Sequence, residues 1–179
     1  MTVVRTFAWA AIVLLAWMTN FSAHADVVFQ DQNGKPVPGV VVFASDATYG
    51  TSSSAADPRR TLEVDQKNKR FAPYVSTTGP ESEVLFPNSD DVRHHVYSFS
   101  SGNRVERKLY RANEAEPVRL EKTGVVALGC NIHDNMQAYV LVTDRKTIGV
   151  SDDNGVVSVT ADLTSETLEV WHTQLNAKG

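Results

Sequence analysis

The stretch Gly124-Val125-Val126-Ala127-Leu128-Gly129-Cys130-Asn131-Ile132-His133-Asp134-Asn135-Met136-Gln137-Ala138-Tyr139-Val140-Leu141-Val142 decides the reading. Two apolar, β-prone runs, 124–128 and 138–142, flank a short polar segment. Such runs predict strands. Residues 129–136 then form the loop that joins them. That loop carries a thiol, an imidazole and a thioether in the spacing Cys-x-x-His-x-x-Met.

Thiolate and thioether are soft ligands, and imidazole suits copper. A trigonal set of two histidines and a cysteine with a weak axial methionine is a blue-copper arrangement. One loop offers three of those four groups as Cys130, His133 and Met136. The fourth must come from another element. The segment Asn88-Ser89-Asp90-Asp91-Val92-Arg93-His94-His95-Val96-Tyr97-Ser98-Phe99 supplies two candidates at the start of a strand. The methionines are 1, 18 and 136, and the cysteine is single, so beyond residue 18 one Met and one Cys fall together.

Outward from this centre, short β-rich runs alternate with turn signals. Strands are predicted at 27–29, 37–44, 83–86, 94–99, 105–110, 118–121, 125–128, 138–142, 156–160 and 168–171. Asn33-Gly34, Ser101-Gly102, Thr123-Gly124 and Asn154-Gly155 mark turns. Many short strands with frequent turns indicate an all-β sandwich or barrel. Residues 48–60 are rich in Ser and Ala and read as a loop or linker.

The chain has 179 residues, 42% of them hydrophobic, with a formal net charge of −4. It can bury a core, and its charge does not call for nucleic acid or an anionic membrane. Residues 1–25 read as a secretory signal: Arg5, an apolar run from Phe7 to Met18, and the cleavage pattern Ala23-His24-Ala25. Cleavage there predicts a start at Asp26, no membrane anchor and a periplasmic location. In an oxidising compartment a lone Cys130 forms no internal disulfide, which leaves a metal, a partner or a reactive thiol to explain it.

Here the residues support a resemblance. Asn88-x-Asp90-x-x-x-His94 followed by Cys130-x-x-His133-x-x-Met136 resembles the cupredoxin pattern, with an amicyanin-like step from His133 to Met136. The strings 94–100 and 129–134, with Asp65-Gln66-x-Asn68-x-x-Phe71-x-Pro73 upstream, are similar to periplasmic cupredoxin-like proteins of the "methylamine utilization protein" type. The resemblance implies a Greek-key β-sandwich and a non-enzymatic, one-electron copper carrier between periplasmic redox proteins. It makes Cys130 the thiolate, His133 the loop imidazole, Met136 the axial thioether and His94 the strand histidine. Period-two alternation instead favours His95, because Tyr97 and Phe99 follow it at inner-face spacing. A β-bulge reconciles the two.

The two ends also resemble each other's style. Asp31-Gln-Asn-Gly34-Lys-Pro36-Val-Pro38 and Ser151-Asp-Asp-Asn-Gly155 are like a small transthyretin or carboxypeptidase-regulatory β-sandwich. Two organisations follow. In one, residues 61–143 form a copper domain inserted between supporting pieces 27–60 and 144–175; in the other, one enlarged sandwich is continuous.

Other readings compete at each residue. Cys130 suits a buried small hydrophobe, a nucleophile with His133 as base, or a zinc ligand. The same soft ligands suit a copper chaperone or store, and the terminal pieces suit a structural docking domain. His172 reads as a surface histidine, Asp90 and Asp91 as turn residues, and Asp134 as a cap on loop amides. Lys67, Lys69 and Arg70 read as a solvated basic face.

Overall fold

A computed structural model describes residues 24–44, 61–110, 115–160 and 168–174. The greater part of the predicted signal segment and all of 48–60 lie outside these residues. The described chain is all-β, with fifteen strands and no helix.

The central sheet is built from β6 (Val75–Thr78), β8 (His94–Ser98), β9 (Val105–Tyr110), β11 (Gly124–Cys130) and β12 (Gln137–Val142). Its order is β6-β12-β11-β8-β9, antiparallel except for the parallel pair β6–β12. A second sheet faces it, ordered β10-β7-β3 from Val118–Leu120, Ser82–Leu85 and Leu62–Glu63. The chain crosses repeatedly between these sheets. A connection that leaves one sheet and returns to it produces the interleaved strand order of a Greek key.

Alternation builds the core between them. Val96, Val105, Val126, Leu128 and Val140 point inward from the central sheet to meet Val84, Phe86 and Leu120. Phe86, Leu120 and Met136 are completely enclosed. Each such side chain contributes about 1.5–3 kcal/mol of apolar burial.

The ends of the chain find each other. β1 (His24–Val28) pairs with β14 (Val156–Thr160), and β2 (Val41–Ala44) lies between β13 (Thr147–Val150) and β15 (Leu168–Trp171). Buried Ser151 clips them: its hydroxyl accepts from the Val40 amide at 2.8 Å and donates to the Val37 carbonyl at 2.9 Å. Val41 and Phe43 of β2 then pack on Val75 and Leu141, on the outer face of β6 and β12. The opposite face of β2 packs through Val42 on Val157, with Val27, Phe29 and Ile148 around them. A layer made from both chain ends thus covers the outer face of the central sheet at β6 and β12.

Expected and observed strands differ in detail. β3, β13 and the hairpin of β4 (Asp65–Lys67) and β5 (Arg70–Ala72) are short and polar or glycine-containing, which hides them from pattern reading. His172 is buried rather than on the surface, and its Nδ1 accepts the Gln174 amide at 3.3 Å.

Candidate metal centre

β11 ends at Cys130 and β8 begins at His94, and these two strands are antiparallel neighbours, with Cys130 opposite Val96. The last residue of one therefore lies beside the first residue of the other. Beyond Cys130 the Asn131 amide still donates to the His95 carbonyl at 3.1 Å, so the loop starts out pinned to β8. The Met136 amide then donates to the His133 carbonyl at 3.0 Å, closing a tight turn. That turn returns Met136 to the core beside Cys130, where it is 1% exposed.

Three ligating atoms converge. His94 Nδ1 and His133 Nδ1 each stand 3.7 Å from Cys130 Sγ. All three lie within 4.8 Å of one another. Two ligands on one ion, at bonds of roughly 2.1 Å to nitrogen and 2.3 Å to sulfur, sit about 3.8 Å apart in a trigonal plane and about 3.6 Å in a tetrahedron. The observed spacing fits a single ion in the middle. The donor set, one thiol and two imidazoles beside a thioether, fits a soft transition metal.

His94 and Cys130 are buried, while His133 is half-buried and the most accessible of the three. The two imidazoles stand with ring centres 4.9 Å apart.

The inner face of β8 runs His94, Val96, Ser98, with burial alternating strictly along the strand. This corrects the alternation argument for His95. Ser98 is fully buried and Phe99 is 75% exposed, the reverse of their hydrophobicities. Ser98 tolerates the interior because its hydroxyl is satisfied locally, by the Ser100 amide at 3.2 Å and the Ser100 hydroxyl at 3.1 Å. A register shift lies between His94 and Val96 in the pairing with β9. His95 faces the other way and stacks edge-on against Tyr97. Asp134, expected as a cap, is exposed and accepts no hydrogen bond among the described residues.

Sequence reading missed the role of Asp90. Its Oδ2 lies 2.9 Å from His94 Nε2, on the side of the ring away from the thiol. The same carboxylate accepts the amides of Asn68 at 2.6 Å and Lys69 at 2.9 Å. Asn88 shapes the approach: its side chain accepts the Asp90 amide and donates to the carbonyls of Val92 and Tyr110. Burial pushes the Asp90 carboxyl upward, but the donors from Lys69, His94 and Asn68 outweigh it and hold it below the usual range. The signal for this was present in the string Asn88-x-Asp90-x-x-x-His94.

Gln66 anchors the hairpin from beneath. Its amide nitrogen donates to the Phe86 and Pro87 carbonyls and to the Tyr110 hydroxyl, which itself donates to Phe86 at 2.6 Å. Burial pushes the Tyr110 phenol up to about 12, against the lowering effect of its Gln66 bond.

These features define an all-β sandwich with a Cys-His-His cluster where two adjacent strands meet. No family model matches the chain, and no curated protein matches it. Among solved structures it is similar to a copper-containing nitrite reductase from Thermus scotoductus SA-01, at 16% identity and a TM-score of 0.44. That match covers 56% of this chain and 25% of the reductase. A purple cupredoxin from Nitrosopumilus maritimus matches at 16% identity and 0.41, over 46% of this chain and 99% of its own. Amicyanin from Paracoccus versutus matches at 15% and 0.41, over 57% and 97%. Likenesses this distant leave the reading of the site to its own geometry.

Proposed function

We propose that the chain is an exported, periplasmic blue-copper protein of the methylamine-utilization type that carries single electrons between redox partners. Cys130, His94 and His133 would hold the ion, with Met136 as the weak axial donor. Copper bound there supplies a one-electron couple. The observation that carries this reading is the convergence of two imidazole Nδ1 atoms, each 3.7 Å from the single thiol.

The protein's part is to fix these donors before any ion arrives. His94 is locked by Asp90, Cys130 by strand pairing and Met136 by the core. Ligands held this way move little between oxidation states, which favours carriage over release. A chaperone needs a donor set that opens, and three of these four side chains are buried. His133 alone reaches the surface and serves as the electron port. In this reading residues 61–143 are the copper unit, and pieces 27–60 and 144–175 support it.

The test is the visible spectrum of the exported protein after Cu(II) addition, with Cys130→Ser alongside. An intense thiolate-to-copper band, absent in the variant, supports the carrier. A colourless protein that takes up only Cu(I) overturns it in favour of a copper-handling role.

A further inference from the structure

We propose that the tip of the β4–β5 hairpin, residues 67–70, is a docking site for an acidic surface on a redox-protein partner. This rests on the electron-carrier reading and adds to it the chemistry of the partner.

Lys67, Lys69 and Arg70 are all exposed, within four residues of one another. None has an anionic partner among the described residues. Elsewhere the exposed cations are dispersed: Arg104, Lys108, Arg119 and Arg145 each pair with a glutamate, while Lys35, Arg93 and Lys122 stand apart from one another along the chain. What sets the tip apart is the gathering of three cations within four residues, in a chain whose net charge is −4.

Their place matters as much as their charge. One surface groove runs from this tip past Tyr74 to His133, the ligand that reaches the surface. A partner seated on the tip stands beside the port. Asp134, Asp152 and Asp153 line the same groove.

The tip is also held ready. Asn68 and Lys69 both adopt positive φ, 56° and 55°, the conformation of a type I′ turn. Lys at such a position is strained. The two amides that this turn presents are the ones that Asp90 accepts. Successive amides of this kind form a nest for an anion. A preordered patch loses little entropy when a partner binds. The carboxylate that orders the tip also holds His94, so docking surface and buried ligand share one anchor.

The test is an NMR titration of the labelled, exported chain, metal-free and copper-loaded, with plant-type ferredoxin as an acidic protein probe. Expected are amide shifts at 67–70 and 133, and wild-type association that fades between about 10 mM and about 0.5 M salt. K67Q/K69Q/R70Q weakens association about tenfold at low salt, and the control K108Q does not. Shifts confined to other faces, or a triple variant that binds like wild type, overturn the proposal. Salt dependence of the wild type stands as a readout even if the variant misfolds. A copper-loaded sample without a visible band would sink the electron-carrier reading, and the metal-free titration separates that failure from loss of the surface.

Discussion

Asp90 holds His94 from behind: its carboxylate lies 2.9 Å from Nε2 while the opposite ring nitrogen, Nδ1, stands 3.7 Å from the Cys130 thiol. A carboxylate in this position fixes the tautomer and the ring plane of a metal-binding histidine. In the proposed copper site this contact would leave Nδ1 free to face the ion. Asp90→Asn keeps the shape and removes the charge. It is expected to lower copper affinity about 10–100-fold, measured by competition with a chelator. The wild-type carboxyl is held below its usual range, so the stability it supplies is present above about pH 4 and fades as pH falls further. Acid unfolding of Asp90→Asn should lack that part of the pH dependence.

Tyr110 makes the opposite prediction at the other end of the scale. Its phenol is pushed up to about 12 by burial. A raised folded value means that the neutral form is favoured in the fold. Its stabilising effect is complete below about pH 10 and is lost as pH rises toward 12. Tyr110→Phe should cost about 1–2 kcal/mol at neutral pH, because the Phe86 carbonyl and the Gln66 side chain lose a partner. It should also flatten the alkaline limb. Denaturant unfolding at pH 7 and at about pH 11 reads both effects, and an unchanged alkaline limb refutes the assignment.

How much of this was legible in the sequence depends on what each residue's neighbours had to be. Cys130, His133 and Met136 lie in one loop, so their spacing carried them. β9, β14 and β15 appear at their expected bounds because turn signals or polar segments delimit them on both sides. β4 did not, since Asp65, Gln66 and Lys67 look like a solvated loop. Gln66 is nonetheless fully buried, and its bonds to distant carbonyls are set by tertiary contact alone. Asp90 looked like a turn residue for the same reason: its amide partners belong to a hairpin some twenty residues earlier. The choice between His94 and His95 turned on whether Ser98 or Phe99 faces inward. Hydrophobicity answered that wrongly, because local hydroxyl bonding compensates Ser98.

Gly129, immediately before Cys130, is a packing requirement. A Cβ there would meet Tyr97 at 2.8 Å from Cζ and 2.9 Å from the hydroxyl oxygen. Tyr97 stands opposite the glycine in the β8–β11 pairing. Gly129→Ala is expected to destabilise by about 1–3 kcal/mol, through displacement of this ring or of the strand. Tyr97→Ser removes the clash, so the double variant should recover most of the loss. Chemical denaturation of all four proteins closes the cycle. Additive losses would show that the strain lies elsewhere.

Ser151 tests how the layer of chain ends is tied to the proposed copper site. Ser151→Ala leaves the Val40 amide and the Val37 carbonyl without their partner, in a place where Ser151 is 5% exposed. Stranding such groups costs about 1–3 kcal/mol. The consequence should reach the metal centre, because Val41 and Phe43 cover Val75 and Leu141, and Leu141 lies on β12 directly after the ligand loop. Peeling away the layer uncovers the outer face of the strand that seats Met136. Trp171 packs at this interface and is the one tryptophan beyond the predicted signal, which makes it a local reporter. In Ser151→Ala its fluorescence and the copper band should be lost at one shared midpoint, below that of wild type. Two separated midpoints would show that the chain ends form a unit which can unfold while the copper site stands.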